Sequence, residues 1–107
     1  MHVTAVVVLL ATALPAPAAQ AQTADAGKAK AAACAMCHGP QGIAVAPDTP
    51  NLAGQPASYV SEQLKAYRGG TRKHEIMTLM AKPLSDADID NLAAWFSSIK
   101  VEVSAGK

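Results

Sequence analysis

CAMCHGPQG, residues 34–42, contains both cysteines of the chain, and a histidine directly follows the second. Two thiols three residues apart, followed by an imidazole, form the C-x-x-C-H signature of covalent c-type haem attachment. The spacing has a physical basis. Two thiols at the ends of a short turn reach the two vinyl groups on one porphyrin edge and form thioethers. The next residue then projects beneath the ring, where its imidazole can bind iron. Cys34 and Cys37 are thus the expected attachment points, and His38 is the expected proximal ligand. Covalent attachment also anchors a cofactor to a chain too small to hold it by burial alone.

Three other uses of a C-x-x-C pair compete. A redox disulfide of the thioredoxin type sits in a βαβ context, and no strand pattern is visible here. Zinc takes four ligands, and the sequence has no further cysteine. A structural disulfide is permitted in an exported protein, but three rare residues in fixed order, Cys34, Cys37 and His38, favour haem attachment.

The start of the chain indicates export. Val3 to Leu14 is an unbroken run of apolar residues and Thr, ended by Pro15 and Pro17 and followed by small residues up to Ala19-Gln20-Ala21. An apolar stretch followed by an A-x-A site is the pattern of a secretory signal. Residues 1–21 are therefore expected to be a signal cleaved after Ala21, the alternative being an uncleaved anchor, and 22–107 a single domain outside the cytoplasm. The region before the apolar run departs from the pattern. It has no Lys or Arg, only His2 and the terminal amine. The run falls short of the roughly 20 apolar residues a transmembrane helix needs. No strong membrane binding is expected once the signal is removed.

Nine Lys and Arg stand against eight Asp and Glu, a net charge of +1. A nucleic-acid binder would show a basic excess, so no nucleic-acid partner is expected. Large core-forming side chains are scarce. The aromatics are Tyr59, Tyr67, Trp95 and Phe96, while Ala is abundant. A domain of this size buries only about 60–65% of the surface its unfolded chain exposes and usually needs a staple or a cofactor.

The pattern predicts helices and no strands. DAGKAKAAACAM (25–36) is rich in Ala and Lys, with Thr23 or Asp25 able to cap it. It predicts a helix running into Cys34. Residues 39–55 carry three Gly and three Pro and read as a long loop. A second helix starts at Pro56, carries Val60, Leu64 and Tyr67 on one stripe and is expected to have Gly69 just past its end. Residues 70–84 read as a second irregular stretch holding Met77 and Met80. The last helix follows Ser85, with Asp86 and Asp88 suiting its positive end and Ile89, Leu92, Ala93, Phe96 and Ile99 at helical spacing.

The sixth iron position decides between electron transfer, for which a thioether ligand suits the site, and chemistry at an open iron. Met36 lies inside the attachment turn and cannot reach the opposite face. Met77 and Met80 stand on a stretch where a side chain can be aimed freely, though either could instead fill gaps as Met often does. His74, between Lys73 and Glu75, reads as a surface residue. Arg68, Arg72 and Lys73 read as a solvated surface or as partners of haem propionates rather than a docking patch.

Taken in order, AGKAKAAACAMCHGPQG, PDTPNLAGQ, YVSEQLKAYRGGTRK, EIMTLMA and LSDADIDNLAAWFSSI resemble the small bacterial class I cytochromes c. They are close to one half of the periplasmic dihaem cytochromes c and to their single-haem relatives. The resemblance covers about residues 25–100. It implies an all-α fold with three main helices and long loops wrapped around one covalently attached haem c. It implies thioethers at Cys34 and Cys37, His38 as proximal ligand and Met77, seven residues before Leu84, as distal ligand. It also implies that the Pro50 carbonyl accepts the His38 ring N–H, that Leu52 packs on the haem face, and that Gly27 meets Trp95 where the first and last helices cross. The family usually has Tyr at that last position.

The function implied is a periplasmic electron carrier whose iron cycles between Fe(II) and Fe(III), not an enzyme by itself. Its partners would be redox proteins: a membrane oxidoreductase, a terminal oxidase or a periplasmic dehydrogenase. The alternatives are a haem subunit accepting electrons for a periplasmic dehydrogenase or oxidase, and a ligand-binding or peroxidatic haem protein.

Overall fold

The computed structural model describes residues 1–16 and 23–106. Residues 1–16 are exposed and carry no regular secondary structure, and the expected cleavage site after Ala21 lies outside the described residues. Among the described residues no helix is long and apolar enough to cross a membrane.

The described elements are all helical. They are α1 (Ala24–Lys30), a 3-10 turn (Ala31–Cys34), α2 (Ala35–His38), α3 (Ala57–Gly69), α4 (Glu75–Ala81) and α5 (Asp86–Ser98). Helix α1 packs across α5, and α3 packs on both α5 and α4. The core where they meet is Ala31, Val60, Leu92, Ala93 and Phe96, with Cys34, Leu52, Leu64, Leu84, Trp95 and Ile99 half-buried around it. Ile89 and Leu92 are fully buried, each worth about 1.5–3 kcal/mol of apolar burial.

The crossing of α1 and α5 depends on the absence of a side chain at Gly27. A Cβ there would lie 1.9 Å from the Asn91 carbonyl oxygen and 2.7 Å from Trp95 Cβ. Polar contacts hold the same crossing. Thr23 caps α1 by accepting from the Ala26 amide, and its own amide donates to Asn91 Oδ1 at 3.0 Å. Lys30 pairs with Asp88 at 3.5 Å, and Lys28 lies over the Trp95 ring at 5.5 Å. Helix α5 starts with a capping box. Ser85 Oγ accepts from the Asp88 amide, and the Asp88 carboxylate accepts from the Ser85 amide, both at 3.0 Å. It ends at Ser98, one residue before the Ile99 that the periodicity includes.

Two readings of the sequence are corrected. The first helix does not run evenly into Cys34. It tightens into a 3-10 turn there and resumes as α2 through His38. The stretch 70–84 is not irregular throughout, because EIMTLMA forms α4, with Met77 and Met80 on it. Its cap is His74, whose ring accepts from backbone amides in the role Ser, Thr, Asp and Asn usually fill. Pro83 follows just past its C-cap, a position where proline is common.

Candidate haem-attachment site

The two thiols and the imidazole stand on consecutive short turns. Cys34 ends the 3-10 turn, and Cys37 and His38 end α2. The chain then reverses at Gly39, whose φ is +82° and where a Cβ would lie 1.9 Å from the Ile43 carbonyl oxygen. Only glycine suits a position with that φ and that contact. The following loop folds back on the turn, the Val45 and Ala46 amides both donating to the Cys37 carbonyl at 3.0 and 3.2 Å. A second clasp joins the two ends of this loop. The Leu52 and Ala53 amides donate to the Gly42 carbonyl at 2.7 and 3.0 Å, and Ala44 donates to Asn51 Oδ1 at 2.7 Å. The glycines and prolines at 39–55 therefore form an ordered wrap.

That wrap brings Pro50 over His38. The His38 ring is buried, 7% exposed, and its Nδ1 lies 2.8 Å from the Pro50 carbonyl oxygen. A carbonyl oxygen can only accept, so Nδ1 carries the hydrogen and donates it. The tautomer is thereby fixed, and Nε2 keeps a free lone pair with the ring held in one orientation. This is the arrangement of a metal-ligating histidine with its other ring nitrogen tied to an acceptor.

Cys34 and Cys37 carry free thiols and are half-buried. Burial pushes the Cys34 thiol up, with the Lys30 charge acting in the opposite direction. A raised thiol is the reverse of the lowered one that a redox-active C-x-x-C pair uses. Among the described residues no group of three or more His, Cys, Asp or Glu side chains could hold a metal ion, which leaves the zinc alternative without ligands.

Leu52 is half-buried against the core. Met77 is half-buried on the first turn of α4, Met80 on the same helix is 39% exposed, and Met36 is 87% exposed. The structure gives His74 and Arg68 roles that the sequence reading missed. His74 caps α4. Arg68 donates to the Leu84 carbonyl at 3.0 Å and to Asp86 at 2.6 Å, closing the base of the segment that carries α4. Arg72 is engaged as well, bonded to Gln63 at 2.7 Å and lying over the Tyr67 ring at 4.6 Å.

A family model described as cytochrome c matches residues 24–100. Cytochrome c-554(548) of Halomonas halodenitrificans is 50% identical over 68 residues, covering 61% of this chain and 82% of that protein. The thiosulfate dehydrogenase electron acceptor of Stutzerimonas stutzeri is 42% identical over 69 residues, covering 62% of this chain and 32% of that protein. The crystal structure of reduced recombinant cytochrome c4 from Pseudomonas stutzeri superimposes with a TM-score of 0.71 at 42% identity, over 78% of this chain and 48% of that one. The chain thus spans about half of the cytochrome c4 chain and about a third of the thiosulfate dehydrogenase electron acceptor.

Proposed function

The chain belongs to the cytochrome c family, and from that premise we propose that it is a single-haem electron carrier of the periplasm. Residues 1–21 direct export and are removed, and residues 22–107 form the working domain. Cys34 and Cys37 would carry the thioethers, and His38 and Met77 would be the residues that hold the iron. The observation that carries this reading is the buried His38 ring, held by Pro50 beside two half-buried thiols with Nε2 left free.

The residues present fit a covalently attached haem c, which supplies reversible one-electron chemistry at iron when bound. The chain's part is to keep everything around that electron still. Cys34, which packs against the core, and Cys37 would tie the cofactor covalently to the chain. The Pro50 carbonyl holds the His38 ring in one tautomer and one orientation. The Met77 thioether is a neutral ligand that favours reduced iron. Leu52, half-buried against the core, would supply apolar surface that keeps water from the cofactor. With His38 and Met77 both engaged as ligands, the bound group would offer electron transfer rather than a place for a substrate. Redox partners dock at the haem edge beside the cysteines and belong to one of three kinds: a membrane oxidoreductase, a terminal oxidase or a periplasmic dehydrogenase.

The test is to expose the untreated, reduced protein to carbon monoxide. A closed site leaves the spectrum unchanged. Binding would replace the carrier reading with ligand or peroxide chemistry at an open iron. A second reading, a haem subunit accepting electrons for a periplasmic dehydrogenase, is favoured by the 42% identity to a thiosulfate dehydrogenase electron acceptor. Reduction of the purified protein by such a dehydrogenase at a rate set by their complex, rather than by random collision, distinguishes it from a free carrier.

A further inference from the structure

The cap of α4 is unusual. His74 is extended at φ −154°, and its Nδ1 accepts from the amides of Ile76 and Met77, each at 3.2 Å. The reverse contact is also made, the His74 amide donating to Thr78 Oγ1 at 3.1 Å, while the Thr78 amide donates to the His74 carbonyl at 2.9 Å. One imidazole thus satisfies two amides that a helix start leaves without partners, and one of the two belongs to Met77. Helix α4 has seven residues, far fewer than the ~12–15 at which an isolated helix becomes even marginally stable. Its first turn depends on what closes it.

We propose that His74 is a positioning residue for the distal methionine, holding the turn that presents the Met77 thioether. The inference rests on the reading of Met77 as iron ligand. The cap bonds exist only while the first turn of α4 is formed, so they favour the state in which Met77 is held toward iron over the state in which it has left. Substituting an N-cap residue with Ala costs enough to move such an equilibrium by between about twofold and thirtyfold. Asn, a strong N-cap, supplies an acceptor oxygen in a similar place.

The experiment is a cyanide titration of the ferric holoprotein, in which cyanide competes with the methionine for iron. The variants are His74→Ala, His74→Asn, Thr78→Val, Ser85→Ala and Met77→Ala, and each is also scored for the weak red methionine-to-ferric-iron band. His74→Ala should bind cyanide more tightly, within that twofold-to-thirtyfold range. Thr78→Val should shift the same way by less, and His74→Asn should stay within about twofold of wild type. Ser85→Ala removes the cap of α5 instead. It should lower the melting temperature and leave cyanide affinity unchanged, which separates positioning from general stability. Unchanged affinity in His74→Ala, or an equal shift in Ser85→Ala, overturns the proposal with Met77 still the ligand. A red band retained in Met77→Ala overturns the ligand assignment itself, and the inference with it.

Discussion

The His38 ring donates its Nδ1–H to the Pro50 carbonyl across 2.8 Å, joining an attachment turn to a loop twelve residues away. Pro50 is itself exposed, and its position is set by the neighbouring clasp of Asn51 on the Ala44 amide and of Leu52 and Ala53 on the Gly42 carbonyl. Asn51→Ala removes one member of that clasp. The expected loss is about 0.5–1.5 kcal/mol, the usual net worth of one hydrogen bond. Chemical denaturation checks it. The His38 ring should also become less constrained, visible as broadened ligand resonances in the proton spectrum of the ferric protein.

The α1–α5 crossing yields a paired prediction. Gly27→Ala drives a methyl group into the Asn91 carbonyl at 1.9 Å and should cost about 1–3 kcal/mol or more, the range for overpacking. In a domain of this size each kcal/mol lowers the melting temperature by about 4–8 °C. Gly69, in the last turn of α3, faces open space, so Gly69→Ala should be neutral or stabilising by up to about 1 kcal/mol. Thermal melts of the two variants should move in different directions, or one should not move at all.

The acid limb of stability follows from two carboxylates at the start of α5. The hydrogen bond from the Ser85 amide, with its hydroxyl and Lys30 assisting, holds the Asp88 carboxyl below its ordinary value. The hydrogen bond from Arg68 and then its charge do the same for Asp86. A carboxyl lowered in the folded state contributes stability above its unfolded value of about 3.9 and loses it as pH falls through the folded value. Stability should therefore be flat in these groups near neutrality and decline below about pH 4. Asp86→Asn and Asp88→Asn should each lower stability at neutral pH and make the acid decline shallower, measured by circular dichroism along a pH series.

Arg68 holds the base of the α4 segment through Leu84 and Asp86. A lysine cannot reproduce a planar two-pronged contact, so Arg68→Lys should recover little of what Arg68→Met loses. Both should lower stability, mainly through the lost bond to the Leu84 carbonyl, because Asp86 is exposed and its ion pair is screened by solvent. Denaturant titration of the holoprotein checks both.

What could be read directly was what lies close together in sequence. CAMCH announces its chemistry in five adjacent residues, and α5 announces itself through Ser85, its acidic first turn and the spacing of Ile89, Leu92, Ala93 and Phe96. Gly27 and Pro50 were legible only through resemblance, because their partners lie far along the chain. Arg68 was missed for the same reason, its acceptors being 16 and 18 residues away. Helix α4 was missed for a chemical reason. Histidine is not among the residues that commonly start helices, and a seven-residue helix leaves little periodicity to read. The available signal was EIMTLMA itself, a run free of Gly and Pro, with Thr78 placed to accept from the His74 amide.

The central claim is axial ligation by His38 and Met77. Its most direct test is the absorption spectrum of the oxidised and reduced protein, produced with c-type haem maturation, for wild type, Met77→Ala and Met80→Ala. The wild type should be low-spin with the weak red methionine-to-ferric-iron band, lost in Met77→Ala and kept in Met80→Ala. A high-spin wild type without the band, or a band lost only in Met80→Ala, would contradict it.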